Sequence, residues 1–229
     1  YGCPHLEFKN WDTLDKLQFE KISFEYHSVC NMRCIYCSPK YYGGKKPVYD
    51  IEKLIDNFID NNSLETCKSI VWGGGEPTID KHFDYLITNI AQNINFKQMV
   101  ITNALYYSHV VQLLLDRDKI TITTSIDSGN DSSFKHIRGV DGINKVFYNL
   151  KLYAKKNPKN ITIKYILMNN NSSKSELENF VSKIICNNLT LCNFQISCNF
   201  NDEKVSDEII FSASFLYALL KKENIAVVF

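Results

Sequence analysis

Short apolar, β-branched runs alternate with longer stretches of helical period along most of the chain, and this alternation narrows the fold more than any other feature. Strands are expected at 22–27, 69–72, 98–102, 120–126, 161–167 and 194–199, with 225–229 as a further candidate. Helical patterns lie between them. Residues 51–61 place apolar side chains at 51, 54, 55, 58 and 59, the i, i+3, i+4 stripe of an amphipathic helix. The segments 83–94, 108–116 and 143–155 behave alike. Ser173 and Glu176 read as a capping box ahead of a helix through Cys186, and Ser206-Asp207-Glu208 opens a last helix to about residue 223. Such an order implies parallel strands joined by right-handed crossovers. A closed eight-stranded barrel takes about 250 residues. The 229 residues here therefore suit an α/β chain folded as an open, partial (β/α)6 TIM-like barrel. No flexible linker or internal repeat divides the chain, so 1–229 is expected to be one domain with 1–20 as an N-terminal lead-in.

Composition excludes several partners. With 26 basic and 25 acidic residues the net charge is +1. No block of like charge steers the chain toward nucleic acid or an anionic membrane, so neither partner is expected. The most apolar run, 211–220, is too short to span a bilayer, and no secretory signal pattern opens the sequence. The eight cysteines do not follow the spacing of a secreted disulfide scaffold. Reduced thiols and a cytoplasmic location are expected.

The residues able to do chemistry fall where strands end, which is where active sites gather in parallel α/β architectures. After the first strand come Cys30, Cys34 and Cys37, spaced C-x3-C-x2-C, with Tyr36 before the last. Three thiolates in one loop can hold three irons of a [4Fe–4S] cube and leave the fourth open to a small molecule, whereas four thiolates close the cluster. Zinc, which usually takes four ligands, stays open on spacing alone, with His27 and Cys3 as the nearest candidates for a fourth. After the second strand stand Gly73, Gly74, Gly75, Glu76 and Pro77. A glycine cluster there is either a tight turn or a place where a ligand reaches the backbone closely. Thr102 and Asn103 end the third strand. Ser125 and Asp127 end the fourth, two apart and therefore on one face. The polar tract 169–173 follows the fifth.

The cysteine triplet, Tyr36 and the Gly-Gly-Glu-Pro run together resemble the radical S-adenosylmethionine (radical SAM) family, and the likeness extends over nearly the whole chain. It implies a [4Fe–4S] cluster on Cys30, Cys34 and Cys37, with S-adenosyl-L-methionine (SAM) on the open iron. It places residues 73–77 near the cofactor's amino group, and Ser125 and Asp127 near the ribose. Arg138, in the stretch 134–146, would reach the carboxylate through its planar guanidinium. Asn171 would help hold the cofactor, Tyr36 would lie near the adenine, and Thr102 and Asn103 share the same rim. The resemblance further implies an enzyme in which one electron from a reduced flavodoxin or ferredoxin cleaves SAM to a 5′-deoxyadenosyl radical. That radical would take a hydrogen atom from a substrate.

The substrate is weakly encoded, and a small molecule or a peptide is expected. Ser23, Glu25 and His27 would share one face of the first strand, and Lys164 and Ile166 one face of the fifth. Glu25, His27 and Lys164 are therefore candidates for substrate contact or proton transfer. Cys198, close to the rim, is a candidate hydrogen donor to a substrate radical. The even spacing of Cys186, Cys192 and Cys198 invites a second cluster, although free cysteine is commonly a small buried hydrophobe, as Cys67 is also expected to be. Two other functions compete: an activase that installs a glycyl radical on a partner protein, and an iron–sulfur or zinc-binding module without catalysis.

Overall fold

The computed structural model describes residues 18–37, 44–47, 49–202 and 204–228. The zinc candidate Cys3 lies outside the described residues. Seven strands form one parallel sheet in chain order: β1 (Lys21–Phe24), β2 (Ser69–Trp72), β3 (Gln98–Ile101), β4 (Ile120–Ser125), β5 (Ile161–Leu167), β6 (Asn193–Cys198) and β7 (Ala226–Val228). The crossovers carry helices α1 (Ile51–Asp60), α2 (Phe83–Asn93), α3 (His109–Asp116), α4 (Asp131–Arg138), α5 (Ile143–Tyr153), α6 (Lys174–Cys186) and α7 (Asp207–Lys222). Among the described residues β1 and β7 are not paired with each other, so the barrel is open. No helix among them is long and apolar enough to cross a membrane.

Strand alternation sets the layers. In β4 the side chains of Ile120, Ile122 and Thr124 are wholly buried, while Thr121, Thr123 and Ser125 are half-buried. The buried set faces the helices. Trp72 stacks on Phe24 with ring centroids 4.5 Å apart and meets Phe83 of α2 edge-on at 5.6 Å. Tyr165 of β5 packs against Phe180 of α6 in the same layer. Each such side chain stabilises the fold by roughly 1.5–3 kcal/mol through its burial. The opposite set lines the concave inner face, where Met99 and Ile101 stay exposed among the described residues.

The expected extent of β1 and the expectations for His27 and Cys198 need correction, and two further elements are defined. β1 ends at Phe24, not at residue 27, because Tyr26, His27 and Ser28 are consecutively buried and the alternation is lost. The Tyr26 hydroxyl donates to Asp80 at 2.7 Å, drawing the chain toward the loop after β2. His27 therefore lies outside the strand and is buried, although it lines a small cavity together with Glu25. The helix α4 has too few apolar residues to announce itself; it is held by its caps, with Asn130 accepting from Ser133 N–H at one end and left-handed Gly139 at the other. The further candidate strand at 225–229 is present as β7, which makes the sheet seven-stranded. Finally, Cys198 pairs in register with fully buried Leu167 and packs on the helix-side core, facing away from the inner surface.

Candidate active site

A cleft of about 180 Å³ opens at the carboxyl ends of β1 to β4. Cys30, Cys34 and Cys37 line it together with Tyr36, Gly74, Gly75, Glu76, Thr102, Asn103, Ser125 and Arg138. Most of the residues expected at the site thus meet in one place, though they come from segments far apart in the chain. Gly73, Pro77, Asp127 and Asn171 stand behind this lining, and His27, Lys164 and Cys198 are not part of it.

All three thiols are free and half-buried. Burial raises the pKa of each, and the neighbouring thiols help push Cys37 to about 11. The Arg138 guanidinium works in the opposite sense on Cys34 and Cys30, favouring their thiolates. Two donors already point at the Cys30 sulfur: Met32 N–H at 3.4 Å and Asn103 Nδ2 at 3.7 Å. Among the described residues, no three His, Cys, Asp or Glu side chains gather to hold one metal ion. All three thiols line one cleft, and a cube would take one thiolate on each of three irons.

The segment 73–77 is fastened to the cluster loop through its backbone. Gly73, Gly75 and Glu76 N–H donate to the carbonyls of Phe24, His27 and Val29 at 3.0, 3.0 and 2.8 Å. A Cβ on Gly75 would lie 2.1 Å from the Val29 oxygen. Glycine here admits the protein's own backbone, in addition to leaving the cleft wall bare. Glu76 is fully buried, and burial raises its pKa against the pull of four donors. Its Oε1 accepts from Thr102 Oγ1 at 2.7 Å and from Thr78 N and Oγ1, while Oε2 accepts from Asn103 N–H at 2.6 Å. Glu76 therefore ties the end of β2 to the end of β3.

Asp127 and Arg138 form a second, buried fixture. Asp127 has a left-handed backbone, φ 61°. Its Oδ1 accepts from Ile166 N–H at 2.7 Å, and its Oδ2 accepts from Tyr36 Oη at 2.8 Å and Arg138 Nη1 at 3.0 Å. Burial pushes the Asp127 carboxyl upward and the Ile166 N–H opposes this. Asp127 and Arg138 pair at 3.0 Å in this buried position, where either charge alone would be strongly disfavoured. Asn171 donates to the carbonyls of Asp127 and Ile166 and accepts from Met168 N–H. The polar groups of Asp127 and Asn171 are thus engaged within the protein. Ser125 and Arg138 do line the cleft, and Arg138 Nε is buried without a hydrogen-bond partner among the described residues.

The structure adds residues that sequence reasoning missed. Ile101 lines the cleft, as inner-face alternation in β3 would have indicated; Met32 does too, and no sequence signal pointed to it. The structure also separates some expected companions. His27 accepts from Val29 N–H at 3.2 Å beside a different cavity, next to Asp80 and His82. Lys164 is in register with Ser125 on the inner face. Cys192 and Cys198 sit at opposite ends of β6, about 20 Å apart at a strand's rise per residue, too far to share a cluster. Cys192 is wholly buried, its thiol pushed up to about 12, and Cys186 is exposed at the end of α6.

An open parallel barrel with three free thiols and a glycine–glutamate segment at its carboxyl rim defines a cluster-binding α/β enzyme core. The chain belongs to the radical SAM superfamily, whose family model matches residues 24–184. Members use a [4Fe–4S] cluster and SAM, and this chain is an enzyme of that kind. It is 30% identical over 156 residues to a GTP 3′,8-cyclase of Clostridium botulinum strain Hall, covering 67% of this chain and 49% of the relative. It is 26% identical over 159 residues to the molybdenum cofactor biosynthesis protein moc-5 of Caenorhabditis elegans, covering 67% and 26%. The chain spans about half the length of the cyclase. Among solved structures, Streptococcus suis SuiB bound to precursor peptide SuiA superposes with a TM-score of 0.66 at 14% identity, covering 93% of this chain and 49% of that one. Native anSMEcpe with bound AdoMet and the Cp18Cys peptide gives 0.65 at 16% identity, covering 90% and 62%. At these identities the likeness establishes the fold.

Proposed function

We propose that Cys30, Cys34 and Cys37 hold the cluster and that SAM occupies the cleft between them and residues 74–76, for hydrogen abstraction from a small-molecule or peptide substrate. When bound, this cofactor pair supplies one-electron cleavage of SAM to a 5′-deoxyadenosyl radical. The chain's own residues do the rest. The three thiolates anchor iron, and the bare Gly74–Gly75 backbone leaves room beside it. Arg138, which lines the cleft, is suited to a carboxylate. Ser125 is placed for a ribose hydroxyl. Asp127, Asn171 and Glu76 act as supports that fix Tyr36, Arg138 and Asn103. The single observation carrying this reading is that three free thiols and the glycine–glutamate segment line one cleft. The open inner face, with Lys164 beside Ser125, is the route by which substrate would reach it. A reduced flavodoxin or ferredoxin is the proposed electron donor, and a reducing cytoplasm is the setting that suits the thiolates.

The likeness to GTP 3′,8-cyclases favours a second reading in which the substrate is a purine nucleotide. Anaerobic reconstitution with iron and sulfide, then dithionite and SAM, should release 5′-deoxyadenosine. An intact cluster with no release would end the proposal that this cleft cleaves SAM. Stimulation of release by GTP would select the nucleotide reading over a peptide or a partner glycyl-radical protein.

A further inference from the structure

Glu176 takes no part in the cleft, yet it is one of the most heavily hydrogen-bonded carboxylates among the described residues. It lies in the first turn of α6 and is 5% exposed. Its Oε1 accepts from Gly129 N–H at 2.6 Å, from Ser128 Oγ at 2.9 Å and from Ser133 Oγ; its Oε2 accepts from the Asn130 side-chain amide. All four donors belong to the turn that leaves β4 and starts α4. The packing is as close as the bonding, since a Cβ on Gly129 would lie 2.1 Å from the Glu176 carbonyl oxygen.

That turn is joined to the cleft on both sides. Immediately before it, Asp127 holds Tyr36 and Arg138. Immediately after it, α4 leads to two carbonyls on which the cluster loop rests: Arg33 N–H donates to Arg138 O and Ile35 N–H to Ile137 O, each at 2.9 Å. These bonds flank Cys34. The geometry points to Glu176 as a positioning residue that sets Arg138, Tyr36 and the Cys34 segment through the turn and through α4. This inference rests on the cleft being the SAM site.

The chemical lever is Asn130. Its side-chain oxygen caps α4 by accepting from Ser133 N–H at 3.1 Å, while its amide nitrogen donates to Glu176. Glu176 thus selects the amide orientation that caps the helix. In Glu176→Gln the amide oxygen would keep the Gly129 N–H, and the amide NH2 would then confront the Asn130 NH2. Asn130 would then have to flip and lose its cap, or leave two NH2 groups opposed. Asn130→Asp in the same chain would relieve the conflict, because the aspartate can cap α4 and accept from the new glutamine at once.

The test measures SAM dissociation constants on the cluster-loaded protein, together with the SAM-induced change in the electron paramagnetic resonance spectrum of the reduced cluster. Glu176→Gln should keep its iron but bind SAM about tenfold more weakly, the scale of one disrupted charged hydrogen bond. The Glu176→Gln, Asn130→Asp double variant should return to within about threefold of the parent. A parental dissociation constant and spectrum in Glu176→Gln, even with lowered thermal stability, would overturn the assignment. Weakened binding that the second substitution does not recover would overturn the route through Asn130. If Glu176→Gln does not fold, Ser133→Ala removes one donor alone; it should weaken SAM about threefold, and parental affinity there would overturn the assignment. Failure of the parent itself to bind SAM would instead sink the reading of the cleft.

Discussion

Glu76 shows how one side chain can be indispensable without offering a free atom to a ligand. Both oxygens are occupied by donors from residues 78, 102 and 103, and the group is wholly buried. The glutamate in the Gly-Gly-Glu-Pro run is legible as part of a site, but its work is to fix Asn103, whose amide points at the Cys30 sulfur. Glu76→Ala strands four donors in the interior, two of them backbone N–H groups. It should lower stability by about 3 kcal/mol, since buried donors left without acceptors lose their full solvation. Equilibrium urea unfolding measures this as a lowered midpoint at an unchanged slope. A loss below about 1 kcal/mol would mean that Glu76 is not the tie between β2 and β3 that its bonds describe.

At the scale of elements, the strand order and the rim were readable because period-2 and period-3.6 patterns alternate cleanly, and because the thiols and glycines fall just past strand ends. What stayed hidden was set by tertiary contacts. Nothing local shows that β1 stops at Phe24, since the cause is a hydrogen bond from Tyr26 to Asp80, far along the chain. The helix α4 is short and mostly polar, and its caps and Glu176 add to the burial of only two apolar side chains, Phe134 and Ile137. The same gap hid the orientation of Cys198: the residue is near the rim in sequence, but the β5–β6 register turns it with Leu167 toward the helices. A consequence is directly measurable. After anaerobic reconstitution, Cys34→Ala should lose the brown cluster absorbance and its iron, while Cys198→Ala should match the parent in iron per chain. Equal iron in both variants would remove Cys34 from the ligand set, and iron loss in Cys198→Ala would return that residue to the site.

Across the whole molecule, the cleft is a joint between separate crossovers, held by ties that are all internal to the protein: Glu76 between β2 and β3, Asp127 among β4, β5 and the cluster loop, and Glu176 between α6 and α4. A ligand that fits this joint should therefore report on the stability of the entire barrel rather than on one loop. Binding to the folded state alone contributes RT ln(1 + [L]/Kd), or about 2.7 kcal/mol when the ligand is at a hundred times its Kd. For a chain of this size each kcal/mol moves the melting temperature by about 2–4 °C, so saturating SAM should raise it by about 5–10 °C. The rise should appear in cluster-loaded protein and vanish after the iron is removed, because the proposed contacts to SAM include the iron that the three thiolates leave open. Differential scanning calorimetry under anaerobic conditions, with and without cluster, makes the comparison. An equal shift in both forms would mean that SAM binds without the metal, and a shift in neither would mean that SAM does not bind the folded chain.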